Sequence, residues 1–390
     1  MKNKNVGIYV HIPFCKQKCK YCDFKSYTGK EALVQEYIKW VKYELKEVGD
    51  GNKLDYEGGL DDLVVIDTIY IGGGTPSFID SKYIVEIIDT IRKHYTIVNN
   101  PEITIEINPG TITEKKLNDY FNCGINRISI GLQSNHEKLL KELGRIHSYK
   151  EFEDAYLTAR KVGFKNINVD LMIGLPNQTL DDVNETIDEI EKYNPEHISV
   201  YSLIVEDETP LCKEIEKGIL TLPSDEDERK MYWTVKNRLQ EDGYIHYEIS
   251  NFAKPGFESK HNMNCWKQQE YIGIGVAAHS YTNGVRFSNV DQIEEYIKNF
   301  EIEKEEDNLI FHEKQNKNSM MKEYMMLGLR KIEGVQIQAF KSKFGENPIF
   351  LYRKELEKLA NEELIEVDGD YIKLTNKGID LANLVWEEFV

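Results

Sequence analysis

Tyr9-Val-His-Ile-Pro-Phe-Cys-Lys-Gln-Lys-Cys-Lys-Tyr-Cys-Asp-Phe24 places Cys15, Cys19 and Cys22 on one short loop in the spacing C-x3-C-x2-C, directly after a β-like run. That spacing puts three thiolates close enough to wrap a single iron–sulfur cube. A [4Fe–4S] cluster normally takes four cysteine ligands, so a three-cysteine loop leaves one iron with an open position. An open metal position marks a reacting centre, by the logic that separates catalytic from structural zinc. A zinc knuckle or inert thiols are the competing readings. Zinc would want a fourth Cys or His nearby, and none follows at zinc-finger spacing.

Working outward, strand-like runs fall at 6–12, 68–71, 103–107, 127–130, 166–173 and 197–204. Each is short, apolar and β-branched, as expected of parallel strands buried on both faces. Amphipathic helical segments lie between them, for example 31–48, 82–94, 150–162 and 180–193. Six βα units fit the α/β class, either as a partial (β/α)6 barrel or as an open doubly wound sheet, which periodicity alone does not separate. In both, residues that follow the strands gather at one end, where ligands bind.

Several polar residues fall at those strand exits. Gly72-Gly73-Gly74-Thr75-Pro76 follows the second strand, and its glycines let backbone approach a ligand closely. Glu106 sits on an otherwise apolar strand, where a carboxylate is costly to bury unless paired. Gln133 ends the fourth strand, Arg145 follows in Leu-Gly-Arg-Ile-His, and Asp170 lies on the fifth strand.

At 390 residues the chain suggests two or three domains. The expected division is 1–215 for the barrel, 216–310 for an α+β extension and 311–390 for a C-terminal unit. The glycine- and acid-rich stretch 49–62 reads as a mobile surface loop, 301–318 as a hydrophilic linker, and 320–331 as a helix whose Met and Leu pack. Net charge is −18 with no basic block, which argues against nucleic-acid binding and fits solubility. Cys123, Cys212 and Cys265 are too scattered for a disulfide framework, and a labile cluster calls for a reducing compartment. The opening residues lack an apolar signal core and no apolar run is long enough to span a bilayer. A cytoplasmic protein without a membrane span is expected, with peripheral membrane contact left open.

The cysteine loop, with an aromatic residue before its last cysteine, resembles the signature of the radical S-adenosylmethionine (SAM) superfamily. Nearly the whole chain resembles its HemN/HemW family. The resemblance implies a partial (β/α)6 TIM-like barrel with a winged-helix-like C-terminal region. It implies that Cys15, Cys19 and Cys22 hold a [4Fe–4S] cluster whose open iron binds the amino and carboxylate groups of SAM. One electron would then cleave SAM to methionine and a 5′-deoxyadenosyl radical. Gly73, Gly74 and Thr75 match the motif that holds the SAM amino group. Glu106 would bind a ribose hydroxyl or ammonium, the alternative being a salt bridge inside the barrel. Gln133, Arg145 and Asp170 match SAM-contacting positions, there around the second of two bound molecules; whether a second SAM binds here stays open. Tyr9 and Tyr21 match cofactor-contacting positions, though either could simply pack.

Further along, 261–266 (His-Asn-Met-Asn-Cys-Trp) resembles the family's HNxxYW motif with Cys265 in place of the tyrosine. There His261, or a thiolate, could ligate heme iron, against a structural role; His279 reads as structural. The family contains an oxygen-independent coproporphyrinogen III dehydrogenase branch, with C-x3-C-x2-C-x-C and an N-terminal arm, and a heme-binding chaperone branch. Here Phe24 stands where that further cysteine would be, and about five residues precede the first strand. Both departures, together with the HNxxYW-like segment, point to the chaperone, with heme as cargo and a respiratory acceptor protein as partner. The dehydrogenase, decarboxylating propionates to vinyls, is the alternative; nothing favours radical heme ring opening. No residue is assigned a catalytic role. Lys16, Lys18, Lys20 and Lys25 fit a solvated loop face, or attraction of heme propionates or of an acidic electron donor such as reduced flavodoxin or ferredoxin.

Overall fold

The computed structural model describes residues 4–51 and 64–390; the loop expected at 49–62 falls outside them from residue 52 onward. Six strands run parallel: β1 (Lys4–Ile12), β2 (Val64–Gly73), β3 (Ile97–Ile107), β4 (Arg127–Gln133), β5 (Ile167–Ile173) and β6 (His197–Ser202). Each pairs with the next in chain order, without reversal. A doubly wound sheet reverses its order at a switch point, so this sheet winds one way, as the arc of a barrel does.

The intervening helices are α1 (Val34–Gly49), α2 (Ser81–His94), α3 (Glu114–Asn122), α4 (Glu137–Glu142), α5 (Tyr149–Val162) and α6 (Leu180–Tyr193). Several start on a side-chain cap: Asp80 for α2, Thr113 for α3, and reciprocal boxes of Ser148 with Glu151 and Thr179 with Asp182 for α5 and α6.

The strand register corrects the expectation of strands apolar on both faces. Tyr9 lies beside Tyr70, Tyr70 beside Thr104 and Thr104 beside Arg127; Glu106, Ser129, Asn168 and His197 form the next row, and Gly131, Asp170 and Ser199 the row after. These share the inner face. The alternating residues, among them Ile8, Ile69, Ile105, Ile130, Val169 and Val200, are buried in the core cluster that also holds the helices' apolar faces. The barrel interior is therefore polar, lined with hydrogen-bonding groups, whereas an ordinary TIM barrel fills it with branched apolar side chains.

After β6 come α7 (Pro210–Glu216), α8 (Asp225–Glu241), β7 (Ile245–Glu248) and β8 (Asn251–Ala253). Here β8 pairs antiparallel with β6, and β7 with β8. The chain then passes through α9 (Lys260–Trp266) to the opposite edge, where β9 (Tyr271–Ile274) lies parallel beside β1. Next, β10 (His279–Thr282), β11 (Val285–Asn289), α10 (Ile293–Glu301) and β12 (Leu309–Lys314) extend that edge, the strands antiparallel. One sheet of twelve strands results, and the segment 216–310 contributes to both of its ends. The linker expected at 301–318 is corrected: it carries β12. An edge strand that is exposed along most of its length shows no apolar alternation to read.

The C-terminal part holds α11 (Lys317–Gly328), β13 (Val335–Gln336), α12 (Ile337–Phe344), α13 (Pro348–Leu351), α14 (Arg353–Asn361), β14 (Ile365–Asp368), β15 (Tyr371–Leu374), α15 (Asn376–Asp380) and α16 (Ala382–Glu387). Its three strands form a small antiparallel sheet in the order β13-β15-β14. Gly369, at φ +59°, makes the turn between β14 and β15. Among the described residues no helix is long and apolar enough to cross a membrane.

Candidate cluster and cofactor site

The cysteine loop leaves the end of β1 and is strapped down on three sides. The Cys15 amide donates to Tyr27 O at 2.9 Å, and the Tyr27 amide to Pro13 O at 2.7 Å. The Lys20 amide donates to Leu143 O, Gln17 to Gly144 O, and the Leu211 amide to Lys20 O. All six cysteines are free thiols. Cys15 is buried, while Cys19 and Cys22 are partly exposed. Burial raises the Cys15 and Cys22 thiols, Cys22 to about 11, and the neighbouring cysteine sulfurs push in the same direction. Thiols raised as those of Cys15 and Cys22 are hold protons unless a cationic metal replaces them. Among the described residues no three His, Cys, Asp or Glu side chains converge on one ion-sized position.

The triple-glycine turn lies directly against that loop. The Gly74 amide donates to Ile12 O and the Thr75 amide to Phe14 O, both at 2.9 Å, and Thr75 Oγ1 is 3.5 Å from Cys15 Sγ. A Cβ on Gly74 would stand 2.8 Å from Cys15 Sγ. Gly73 is at φ +117°, and a Cβ there would meet the His11 ring at 2.7 Å. Both positions therefore exclude a side chain.

Glu106 accepts the Tyr70 hydroxyl at 2.8 Å and the Gly73 amide at 3.2 Å. Its neutral donors do not offset its burial, which, with Asp170 nearby, raises the carboxyl to about 7. Asp170 accepts from Ser129 at 2.9 Å and from Asn168 at 2.7 Å, and burial raises it as well. Arg145 donates from Nη2 to Asn108 Oδ1 at 2.6 Å and to Gly131 O, and from Nη1 to Cys19 Sγ at 3.7 Å. Among the described residues its Nε is buried without a partner. Gln133, at φ +74°, ends β4 with its amide beside Gly131, on the Arg145 side. The Tyr9 hydroxyl pairs with His11 Nδ1 at 2.9 Å and its ring stacks on Tyr70. Tyr21, raised by burial, is held near Arg145 and the cysteine sulfurs.

The candidate residues from Tyr9 to Asp170 thus gather at one mouth of the barrel. The donor set fits a zwitterion beside a three-thiol cluster: Glu106 for an ammonium, Arg145 for a carboxylate. Tyr70, Asn108 and Ser129 belong to the same network and were missed in the sequence. Period-two alternation from Glu106 and Gly72 along β3 and β2 would have found Asn108 and Tyr70.

His261 lies elsewhere. Its Nδ1 pairs with Thr68 Oγ1 at 2.9 Å, its ring sits 5.2 Å from that of Tyr70, and the Glu102 carboxylate accepts its backbone amide at 3.0 Å. It is 7% exposed, and burial lowers the imidazole to about 4. Enclosed inside the barrel, it presents no face on which a porphyrin could lie. The Cys265 thiol is raised to about 11 by burial and stays protonated at neutral pH. On the cysteine loop, Lys20 pairs with Glu214, Lys25 with Asp291, and Lys18 donates to Phe24 O.

Comparison with known proteins bears on the same elements. Residues 9–190 match the Radical SAM superfamily model, and 315–381 match the HemN C-terminal domain. A protein of Lactococcus lactis described as heme chaperone HemW is 35% identical over all of this chain and 98% of its own length. Its counterpart of the same description in Bacillus subtilis is 37% identical over 98% of each chain. Among solved structures, coproporphyrinogen III oxidase (HemN) from Escherichia coli superposes with a TM-score of 0.83, covering 100% of this chain and 90% of that one, at 20% identity. At that identity the likeness is one of fold.

Proposed function

The chain belongs to the heme chaperone HemW family of the radical SAM superfamily, and on that premise we propose that it binds a [4Fe–4S] cluster and SAM, takes up heme and passes it to an acceptor protein. The observation that carries the first half is the close seating of the Gly74 turn on Cys15, with Arg145 bridging Cys19 to the inner wall. When bound, the cluster supplies a one-electron reductant and an open iron for the amino and carboxylate groups of SAM.

The chain's own residues bind and orient. Cys15, Cys19 and Cys22 hold three irons. The Gly73–Thr75 backbone and Glu106 take the amino end of SAM, Arg145 takes a carboxylate, and Gln133 and Asp170 face the rest of the molecule. Tyr9 and Tyr21 wall the site. A reduced flavodoxin or ferredoxin is the proposed electron donor, and the acceptor is a respiratory heme protein. A reducing, cytoplasmic setting accords with six free thiols. The proposed units are the barrel at 1–215, its sheet extension at 216–310 and the C-terminal part at 311–390.

The test is anaerobic incubation of the reconstituted protein with heme and, separately, with coproporphyrinogen III, SAM and reductant. Stable heme uptake without vinyl products is expected. Formation of protoporphyrinogen or its monovinyl precursor would replace the chaperone reading with the dehydrogenase one.

A further inference from the structure

Arginine keeps its charge in proteins, so a guanidinium withdrawn from water needs an acceptor. Arg145, Arg160, Arg229, Arg238, Arg286 and Arg353 each donate to a protein oxygen. Arg92 is exposed. Arg127 is buried against the polar lumen of the barrel, near Glu106 and Asp170. That leaves Arg330, just past the end of α11, whose Nε is buried without a partner among the described residues. No hydrogen bond or ion pair among those residues claims its other nitrogens.

Aromatic rings hold this guanidinium in place. It stacks on Trp266, the last residue of α9, 4.4 Å from the ring centre, and on Trp386 of α16 at 4.7 Å. Its backbone is pinned beside β7: the Ile249 amide donates to Arg330 O at 3.1 Å, and the Ile332 amide to Tyr247 O at 3.1 Å. Both indole Nε1 atoms are themselves buried without an acceptor among the described residues. N–H donors on three touching side chains thus lack an acceptor, and native structures rarely leave even one so. Glu248 is near enough to feel the Arg330 charge, yet no ion pair joins them. One of its oxygens accepts from Asn251 and the Ser250 amide, the other is unpartnered among the described residues, and burial raises its carboxyl. Rings over the face of a guanidinium leave its N–H fork directed outward in the plane, the geometry that grips a carboxylate.

We propose that Arg330 anchors one propionate carboxylate of the bound porphyrin, with Trp266 and Trp386 holding its guanidinium flat and offering their indole N–H groups as further donors. The proposal rests on the heme-uptake reading above and concerns the acidic edge of the porphyrin, whichever side chain ligates the iron. A carboxylate supplies the acceptor that these donors lack. On a chain of net charge −18, an anionic ligand also needs a local cation. Tyr201, 40% exposed and close enough to Arg330 to interact with its charge, gives the macrocycle an accessible aromatic neighbour. Arg330 and Trp386 come from the C-terminal part and Trp266 from the sheet extension, so a bound propionate ties the two together.

Hemin and its dimethyl ester, whose propionates carry no charge, are titrated into the reconstituted holoprotein and followed in the Soret band. The parent protein is expected to bind hemin about tenfold or more tighter than the ester, and Arg330→Gln to lose about tenfold for hemin while leaving the ester unchanged. Thermal midpoint and cluster iron content check that the variant is folded. Should it not fold, Arg330→Lys, which keeps the charge but not the fork, is read in its place and should narrow the same ratio. Equal affinity of the parent protein for hemin and ester would overturn the anchor while heme binding stood. So would a parent-like ratio in the folded variant, which would leave Arg330 as a buried counter-charge to Glu248 only. No hemin uptake by the parent protein would overturn the heme-uptake reading itself, and this assignment with it.

Discussion

Arg145 and Cys19 are joined across the mouth of the barrel, the guanidinium donating to the sulfur from one nitrogen and to Asn108 from another. The loop after the first strand and the turn after the third are thereby held by one planar fork. Lysine has the charge but not the fork. Arg145→Lys should leave cluster iron in place and weaken SAM binding tenfold or more, since a hydrogen bond to a charged group contributes about 1.5–3 kcal/mol. Isothermal titration on the reconstituted protein measures this; equal affinity in the variant would remove Arg145 from the SAM site.

Gly74→Ala tests the seat of the cluster. The added methyl would stand 2.8 Å from Cys15 Sγ and 3.0 Å from Phe14 O, and relieving it must move one loop. The expected result is a fall in iron and sulfide content on anaerobic reconstitution, with a stability loss of about 1–3 kcal/mol. Full iron loading in this variant would show that the two loops do not share a cluster wall.

Glu106 supplies a pH dependence. Burial raises its carboxyl to about 7 in the folded chain, against about 4.5 for an exposed glutamate. Between those values the folded state keeps a proton that the unfolded state has released. Stability therefore falls as pH rises through that window, and the loss is complete above it. In cluster-free protein, Glu106→Gln should flatten this slope and raise stability at pH 8 by on the order of 3 kcal/mol at most. Urea midpoints at pH 5 and pH 8 read the difference, and parallel pH profiles for the two proteins would contradict it.

Glu44 ties the barrel to its extension. From α1 its carboxylate accepts the Gly275 amide at 2.9 Å and the Asn289 amide at 2.7 Å, with the Tyr296 hydroxyl as a third donor. Glu44→Ala would leave several buried donors without an acceptor and should cost about 3 kcal/mol or more. Because the sheet is continuous, residues 1–310 are expected to melt in one transition. Separate melting of a barrel and an extension in calorimetry would show that the sheet does not couple them.

The six parallel strands and the helices between them were legible because their apolar faces repeat locally. The cysteine loop and the Gly73–Thr75 turn stand out in the sequence as motifs, whereas Arg145 stands out only through the family resemblance. What escaped has two physical causes. Tyr70, Asn108 and Ser129 face inward between apolar neighbours, so runs such as Ile-Tyr-Ile or Ile-Ser-Ile read as plain strand. The pairing of β9 with β1 joins residues more than 250 apart, and nothing in either segment specifies the other.

That long-range pairing has a consequence for biogenesis. On a ribosome, β1 emerges well before β9, one of its two partners, which lies at 271–274. Until then one side of the first strand has no ladder, and the cysteine-bearing segment that follows it hangs from a half-built wall. Such non-local closure makes for slow folding and an exposed intermediate. Iron delivery is thus best timed after residues 271–274 have been made, when the sulfurs have a finished frame to hold them.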